Sequence, residues 1–405
     1  MSEGQKGGCL SPSPPSHIFL EAVAPPPYYV CIVSSPTLPL SGEFPMTHRD
    51  RVRTALDHRT PDRCPMQISF TPEFAERLRA DMGIDTAKLH NPHGGGNTYA
   101  VERALDEDIL LTSVGWANSY YHDDDTYTDE WGIAWKSVRY ETPFGTGRYT
   151  EIASHPLADD NAVERYVPPD PERPELYEDS ARCVGEFGGD YWIGGVTVCT
   201  VLETAWALRG LTQLLMDFVM NPELAEKILD IPLDYHLAAA KRLVETGVDM
   251  IWTGDDVGAQ YGMMISPDMW RRFFKPRMAR FFSELKNINP DIVIAYHSDG
   301  DIRPIIPDLI EIGLNILNPI QPASMDPTEL KRMYGDKLSF WGTIDEQRTL
   351  PFGTPDEVRA EVKSRIENAG RGGGLIVGPT HHVQLDTPLE NFHAMHEAIL
   401  STPCR

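Results

Sequence analysis

The sequence predicts an α/β protein that folds as a (β/α)8 TIM barrel with an inserted hairpin region in its N-terminal part. Three observations support this prediction. Short apolar runs without polar alternation are each followed by a helical pattern, which is typical of parallel strands covered by helices on both faces. Several helical patterns begin with proline, a residue that favours the first helical turn. No Gly-x-Gly-x-x-Gly turn follows any of the apolar runs, which disfavours the competing fold, a doubly wound open sheet.

Seven strands are predicted directly, and an eighth is expected in the less regular region before Tyr191. The predicted strands are Arg63–Ser69, Tyr191–Val198, Met250–Gly254, Ile292–His297, Ile316–Pro319, Leu338–Gly342 and Gly374–Gly378. The predicted helices are Pro72–Met82, Glu203–Val219, Pro222–Thr246, Pro267–Leu285, Ile302–Ile312, Pro327–Tyr334, Pro355–Asn368 and Leu389–Leu400.

Two segments depart from this alternation. Residues 1–45 are rich in proline and are predicted to be a disordered extension, or an artefact of a start codon assigned upstream of Met46. Residues from about 88 to 170 are predicted to form an insertion into the barrel, and they include a hairpin-like stretch. Their aromatic side chains are expected to pack a small satellite core, with the lining of a substrate entrance as the alternative; they are Trp116, Tyr120, Tyr121, Trp131 and Trp135.

Composition and charge limit the classes of partner. The 405 residues carry a formal net charge of −24, which argues against nucleic acid or an anionic membrane as the main partner. No apolar run approaches the ~20 residues of a membrane span. The six cysteines are scattered without CxxC spacing, which indicates reduced thiols. A cytoplasmic protein that binds a small molecule is expected.

Two short segments at predicted strand ends concentrate the titratable chemistry. His297 and Asp299 lie two residues apart where one strand ends, and His381 and His382 follow the last strand. Because the carboxyl ends of barrel strands meet at one rim, these side chains are expected to lie close together. His297, Asp299 and His381 would suit zinc with an open fourth position, or iron(II). The alternative is structural: Asp299 caps a helix and His297 hydrogen-bonds across the barrel.

In an extended backbone the side chain of His382 would point to the opposite side from that of His381, so that only one of the two is expected to be a ligand. His381 is the residue assigned to the metal.

Further polar residues follow other predicted strands. Asp255 and Asp256 come after a buried strand and are candidates for a fourth metal ligand, a partner that orients a histidine, or a general acid. Glu203 follows the strand that ends at Val198, and its position at a helix start offers a simpler explanation. The other residues expected near the substrate are Gln260, Tyr261, Asn318, Gln321 and Trp341.

From Met46 to the C-terminus the chain resembles the uroporphyrinogen decarboxylase superfamily. The resemblance rests on the opening Arg49–Pro65, on Ile294–Gly300, Phe340–Asp345 and Leu350–Val358, and on the closing Asp386–Asn391. It implies a (β/α)8 barrel and an enzyme that is either a porphyrinogen decarboxylase or a corrinoid-dependent methyltransferase. A homodimer is also compatible with this resemblance.

The two branches of the superfamily use the matching positions differently. In the methyltransferases a His-x-Cys pair and a later cysteine hold zinc; His297 matches the histidine, Asp299 replaces the first cysteine, and His381 falls at the later one. In the decarboxylases His381 matches a histidine of an Asn-Leu-Gly-His-Gly pattern. The decarboxylases also carry an arginine-rich loop that grips the acidic porphyrinogen, and here that region reads Gln67-Ile-Ser-Phe-Thr-Pro72, without arginine.

The leading hypothesis from the sequence is therefore metal-dependent methyl transfer from a small, methoxylated donor to a corrinoid carried by a partner protein. The alternative is a metal-free decarboxylase in which Asp255 or Asp256 stabilises a cationic intermediate and His381 orients the substrate. A barrel with a vestigial site, without enzymatic activity, is the third possibility.

Overall fold

The structure is a computed structural model that describes residues 46–85, 90–114 and 125–405. The predicted extension at residues 1–45 lies outside the described residues, as do Trp116, Tyr120 and Tyr121.

A curled parallel sheet of seven strands forms the wall of the barrel. Its strands are β1 (Ile109–Ser113), β5 (Trp192–Val198), β6 (Met250–Gly254), β9 (Val293–His297), β10 (Ile316–Asn318), β11 (Ser339–Trp341) and β12 (Leu375–Ile376), and they are hydrogen-bonded in that order. Strands β1, β5 and β6 are buried along their whole length, because helices cover one face and the barrel interior the other. The predicted barrel fold is confirmed.

The segment around Met66 and Phe70 closes the ring between β12 and β1. Met66 forms a parallel bridge with Val377, and Phe70 forms one with Val383. On the other side, the backbone N–H of Asp108 donates to the carbonyl oxygen of Met66 over 2.9 Å, just before β1 begins. The predicted strand Arg63–Ser69 is therefore present as isolated bridges. The strand expected before Tyr191 is β1, which lies inside the range 88–170 that the sequence assigned to an insertion.

The carboxylate of Asp108 stabilises this closure of the barrel. Its side chain is fully buried and lies 2.6 Å from the guanidinium nitrogens of both Arg51 and Arg63. It also accepts a hydrogen bond from the backbone N–H of Met66 over 2.7 Å. A buried carboxylate needs such partners, because an unpaired charge in the interior is costly.

Fifteen α-helices lie in the described part of the chain. They are α1 (His48–Leu56), α2 (Pro72–Met82), α3 (Ala100–Ala104), α4 (Asp160–Val163), α5 (Glu178–Phe187), α6 (Leu202–Arg209), α7 (Leu211–Met220), α8 (Pro222–Thr246), α9 (Pro267–Phe273), α10 (Lys275–Ile288), α11 (Ile306–Glu311), α12 (Pro327–Tyr334), α13 (Thr349–Phe352), α14 (Pro355–Asn368) and α15 (Leu389–Ser401). Short 3₁₀ helices at Pro174–Tyr177 and Arg303–Ile305 precede α5 and α11.

Two helices predicted as continuous are divided in the structure. The predicted Glu203–Val219 is α6 and α7, because Gly210 between them has a φ of +92°. The predicted Pro267–Leu285 is α9 and α10, since Pro276 lacks an N–H and is tolerated only in the first turn of a new helix. The predicted Ile302–Ile312 begins as a 3₁₀ turn, and its α-helical part is confined to α11.

An antiparallel sheet leans over the open end of the barrel. It comprises β2 (Thr126–Thr128), β3 (Ala134–Thr142) and β4 (Gly145–Ser154). At its tip, the guanidinium of Arg77 in α2 lies 3.9 Å from the ring centroid of Phe144. The backbone N–H of Arg148 donates to Glu73 of the same helix. A second, shorter hairpin follows β6, formed by β7 (Gly258–Ala259) and β8 (Gly262–Met263).

The barrel interior is apolar beneath the carboxyl ends of the strands. The Trp252 and Trp341 rings fill it there, with centroids 4.6 Å apart. In the ranges that the structure covers, no helix has the length and apolar character needed to span a bilayer.

Candidate metal centre

The carboxyl ends of the strands open into a cavity of about 470 Å³. Both the barrel and the β3–β4 hairpin contribute to its walls. Its lining residues are Thr71, His93, Tyr140, Arg148, Tyr149, Val198, Cys199, Glu203, Trp252, Asp256, His297, His381, His382 and Gln384. The position agrees with the rule that barrel enzymes build their active sites at this end.

Three predicted ligands meet at the floor of this cavity. His297 is the last residue of β9, Asp299 follows two residues later, and His381 lies in the segment after β12. One potential ligand atom from each lies within 4.8 Å of the other two. Among the residues that the structure describes, this is the cluster of histidine and acidic side chains with the spacing for a metal ion. The structure thus brings together the three residues that the sequence assigned to a metal.

Asn318, at the end of the neighbouring strand β10, fixes the orientation of His297. Asn318 Oδ1 accepts a hydrogen bond from Trp252 Nε1 over 3.0 Å and lies 2.8 Å from His297 Nδ1. Because an indole N–H can only donate, the facing side-chain atom of Asn318 must be its oxygen, and His297 Nδ1 must carry a proton. The Asn318 amide nitrogen donates to the carbonyl oxygen of Trp341 over 3.2 Å. In the neutral imidazole, this arrangement leaves Nε2 as the atom that a metal would use.

Gln321 supports Asp299 in a similar way. Gln321 Oε1 accepts the backbone N–H of Gly300 over 2.7 Å, and the Gln321 side chain opposes the rise in the pKa of Asp299. Burial raises the pKa of Asp299, and the neighbouring His381 and His297 oppose that rise. Asp299 Oδ1 is buried and has no hydrogen-bond partner among the described residues. Asn318 and Gln321, predicted to contact substrate, are thus buried and hold two of the proposed ligands.

His382 lies in the same cavity as His381, so the prediction that the two point to opposite sides is wrong. Their ring centroids are 4.5 Å apart, and both rings line the cavity. The reason is that the backbone bends over residues 378–381 and is not extended there. Burial lowers the pKa of His382 well below its ordinary value, and the nearby His381 and His93 lower it further.

The two acidic residues after β6 have different environments. Asp255 is 1% exposed, and its carboxylate accepts backbone N–H groups of Val201 and Glu203 at 2.9–3.0 Å. It therefore caps the start of α6 and is not among the residues that line the cavity; the catalytic role predicted for it stays a prediction. Burial raises the pKa of Asp255 to about 7. Asp256 lines the cavity, and its Oδ1 lies 3.5 Å from His297 Nε2.

Glu203 reaches the cavity from the first turn of α6. Its Oε2 accepts the backbone N–H of Asp256 over 3.1 Å. Burial raises the pKa of Glu203 well above its ordinary value, and the neighbouring Asp256 and Asp255 raise it further. Glu203 is thus suited to hold a proton beside the cavity near neutral pH.

The remaining predicted substrate residues divide into two groups. Trp341 is 2% exposed and lines a small recess below the cavity, together with Asn318 and His381. Gln260 and Tyr261 lie in the turn between β7 and β8, and neither lines the cavity. Tyr261 is 92% exposed, because the two-residue turn carries it away from the barrel.

Several cavity residues were not predicted from the sequence. Tyr140, Arg148 and Tyr149 come from the β3–β4 hairpin. Its alternating sequence pattern indicates strands but does not indicate which part of the barrel the hairpin packs against. Two of the aromatic residues predicted to pack a satellite core, Trp131 and Trp135, are 1% and 3% exposed and belong instead to the main hydrophobic core.

Glu346, in the loop after β11, was also missed. Burial raises the pKa of Glu346 well above its ordinary value, and the neighbouring Asp299 raises it further.

The donor set at the cavity floor fits a divalent transition metal ion. Two imidazoles and one carboxylate match zinc and iron(II) sites, which keep positions open for water or substrate. The unpartnered Oδ1 of Asp299 gives this fit physical support, because a buried carboxylate oxygen without a partner is costly. His297 is moreover held by Asn318, the last residue of β10, and the backbone next to Asp299 is held by Gln321 in the loop that follows; such partners are common around metal ligands.

Comparisons with known proteins agree with this architecture. A methyltransferase from Methanosarcina mazei of known structure superimposes with a TM-score of 0.62 at 21% sequence identity, covering 87% of this chain and 98% of that one. At this identity the similarity shows the fold. Among curated proteins, the methylcobamide:CoM methyltransferase MtaA of Methanosarcina barkeri is 29% identical over 177 residues, which is 44% of this chain and 49% of that protein.

Two further relatives are a methyltransferase and a decarboxylase. The methylated-thiol–coenzyme M methyltransferase of Methanosarcina mazei is 26% identical over 45% of this chain and 46% of its own length. A uroporphyrinogen decarboxylase of Psychromonas ingrahamii is 22% identical over 61% of this chain and 71% of its own length. The chain thus spans about half the length of the curated methyltransferases that it matches. The family model for uroporphyrinogen decarboxylase (URO-D) matches residues 139–401, well over half of the sequence. The chain therefore belongs to the uroporphyrinogen decarboxylase family.

Proposed function

We propose that this protein is a metal-dependent methyltransferase that moves a methyl group from a small O-methyl donor to a corrinoid carried by a partner protein. The observation that carries this proposal is the convergence of His297, Asp299 and His381 at the floor of the cavity. The names of the curated relatives MtaA and methylated-thiol–coenzyme M methyltransferase support methyl transfer as the reaction type.

The composition of the ligand set supports an oxygen-bound methyl group as the donor. His297, Asp299 and His381 would hold zinc or iron(II) through nitrogen and oxygen atoms, which are harder donors than thiolates. A metal bound there would supply Lewis acidity toward the oxygen that leaves when the methyl–oxygen bond breaks. Methoxylated compounds that release an alkoxide or phenoxide fit this chemistry.

Residues of the cavity wall would supply a proton to the leaving oxygen and bind the body of the donor. In the reaction the methyl group passes to the reduced corrinoid while the bonding electrons remain on the departing oxygen. Glu203, whose pKa burial raises, holds the proton that this oxygen would take up. Trp252, Tyr140 and Tyr149 offer aromatic surface to a flat donor.

The same cavity is poorly suited to a porphyrinogen with its many acidic side chains. The first barrel segment, where decarboxylases resembling this chain carry arginines, contributes Thr71 to the cavity and Gln67 and Ser69 to the recess below it. Glu203 and Asp256 line the cavity as acids, and Arg148 is the one lysine or arginine among the described lining residues. An anionic substrate would therefore meet little compensating charge.

Metal content is the measurement that tests the proposal. Protein grown in metal-replete medium should contain about one zinc or iron per chain by elemental analysis, and His297→Ala and His381→Ala should each lose it. His382→Ala should retain most of the metal, and His393→Ala, at the exposed pair with Asp81, serves as a remote control. Equal metal content in all four variants would refute the ligand assignment.

A folded, metal-free wild type would instead favour a decarboxylase that works through Asp256, Glu203 and His381. If metal is present, loss of reduced free corrinoid can be followed by absorbance with methoxylated donors. The wild type should consume it and His297→Ala should not.

A further inference from the structure

The small recess below the main cavity lies beside the proposed metal centre. Its volume is about 20 Å³, which is room for one water-sized group. It shares four lining residues with the cavity, namely Trp252, His297, His381 and His382. Two of these, His297 and His381, are proposed metal ligands. A group that enters the recess from the cavity therefore lies next to whatever is bound at the metal centre.

Two paired segments of the barrel wall fix the polar side chains of the recess. The backbone N–H of Gln67 donates to the carbonyl oxygen of Val377 over 3.2 Å, and that of Val383 donates to the carbonyl oxygen of Ser69 over 2.8 Å. Gln67 and Ser69 are both buried and line the recess, where Gln67 Nε2 donates to Ser69 Oγ over 3.1 Å. Because a hydroxyl has one hydrogen to donate besides the bonds that it accepts, Ser69 can also donate to a group in the recess.

His382 adds a third polar side chain, on the side of the metal ligands. It is 7% exposed, and its ring centroid lies 4.5 Å from that of His381. Its Nδ1 is buried and has no hydrogen-bond partner among the residues that the structure describes. A buried polar atom without a partner is unfavourable, which points to a ligand group that pairs with this imidazole.

We propose that the recess receives a hydroxyl group of the methyl donor, and that this hydroxyl stands on the carbon next to the one that bears the methoxy group. This inference rests on the proposed function and adds the substrate class, ortho-methoxyphenols and similar vicinal hydroxy ethers. A hydroxyl both donates and accepts, so it can pair with His382 in either tautomer and accept from Ser69. The recess is too small for a carboxylate or a longer substituent.

The distance between the recess and the metal ligands sets the position of the hydroxyl on the donor. His382 adjoins His381, and His297 lines the recess as well as the cavity. An oxygen at the metal centre and a hydroxyl in the recess are therefore close neighbours. Substituents on adjacent carbons of a ring meet this requirement, whereas a hydroxyl on the opposite side of the ring points away from the recess. If the recess held only a water molecule, the position of the donor hydroxyl would not matter.

The test compares 2-methoxyphenol with 4-methoxyphenol, which contain the same atoms and differ in the position of the hydroxyl. Isothermal titration calorimetry with the zinc-loaded, full-length protein measures the Kd of both and of methoxybenzene, without corrinoid or turnover. Wild type should bind 2-methoxyphenol about 10-fold more tightly than the other two, as expected for one or two added hydrogen bonds. His382→Phe keeps a ring and should abolish this preference, whereas His382→Gln keeps a polar group and should retain part of it.

His93→Phe is the matched control. Among the described lining residues, His93 belongs to the cavity and not to the recess, although its ring centroid lies 5.1 Å from that of His382. This variant should keep the preference for 2-methoxyphenol.

Equal affinity of the wild type for the two isomers, or a preference that survives in His382→Phe, would overturn the hydroxyl site and leave the proposed methyl transfer intact. A wild type that binds no zinc would overturn the proposed function. A preference for 2-methoxyphenol in that metal-free protein would still support the recess as a hydroxyl site.

Discussion

Replacement of Asn318 tests whether the hydrogen bond to His297 controls metal affinity. Asn318→Ala removes the acceptor that holds His297 Nδ1 and Trp252 Nε1, together with the donor to the carbonyl oxygen of Trp341. Freed from Asn318, His297 can rotate and exchange its tautomer. Loss of such a partner typically lowers metal affinity about 10-fold to 100-fold, which corresponds to roughly 1.4–2.8 kcal/mol of binding free energy.

The same substitution also costs stability, and the two effects must be separated. Trp252 Nε1–H and the Trp341 carbonyl are left unsatisfied inside the barrel, at about 1–3 kcal/mol each. Asn391→Ala is a suitable control, because Asn391 is also buried and donates to two carbonyl oxygens, those of Leu350 and Gly353, but lies outside the cavity lining. It should lower the free energy of unfolding to a similar degree and leave metal affinity unchanged.

Asn318→Asp tests the hydrogen-bond acceptor at this position separately from the rest of the side chain. A carboxylate can still accept the N–H groups of His297 and Trp252, and it makes the imidazole a stronger ligand. It also places an oxygen where the amide donated to the Trp341 carbonyl, so stability should fall. Zinc affinity measured by chelator competition should therefore rank aspartate at or above asparagine, and both above alanine. If alanine binds zinc as tightly as the wild type, or if aspartate and alanine lose affinity equally, the orienting role of Asn318 is refuted.

Three further outcomes follow from groups outside the triad. Asp108→Ala should lower the free energy of unfolding in urea by about 3–5 kcal/mol, because two arginines lose a buried partner. Replacement of the exposed Asp57 by alanine serves as the control and should have little effect. A comparable loss in both variants would contradict this explanation. Burial lowers the pKa of His236 to about 4 from 6.5. Between these pH values the unfolded chain binds a proton that the folded chain does not, so the free energy of unfolding should fall by roughly 3 kcal/mol as the pH drops from 6.5 to 4. His236→Gln should flatten this part of the curve of stability against pH. An unchanged slope would refute the assignment to His236. Asp255→Ala should destabilise the protein by about 1–3 kcal/mol through loss of the α6 cap, with normal metal content once folded; metal loss at unchanged stability would instead assign Asp255 to the site.

The fold was largely predictable because local signals agreed with the tertiary structure. The bounds of α2 and α8 were predicted correctly, since each helix begins with proline and ends before a glycine with positive φ, Gly83 and Gly247. Gly210 was missed as a break because the apolar pattern continues on both sides of it. Strand β1 was missed because it is only five residues long and lies in a part of the sequence where hydrophobic periodicity gives little information.

The candidate site was predictable only where strand order alone decides proximity. His297, Asp299 and His381 follow strands whose carboxyl ends meet at one rim, so their convergence follows from the barrel. The roles of Asn318 and Gln321 depend on which atoms face each other, which a strand pattern does not specify. Asp255 and Asp256 are adjacent in sequence, and only the turn after β6 decides which one reaches the cavity and which one caps α6.

The charge of the ligand triad bears on the proposed class of methyl donor. In the methyltransferase pattern that this chain resembles, one histidine and two thiolates hold zinc and neutralise it. Here Asp299 and His381 stand at the thiolate positions, so a divalent ion bound by the triad alone would retain one positive charge. The nitrogen and oxygen donors of this triad also lack the softness that favours a thiol acceptor. A hard centre that retains positive charge would polarise the oxygen of a methoxy donor more strongly than a zinc ion neutralised by two thiolates, which is the chemistry that the proposed demethylation would use.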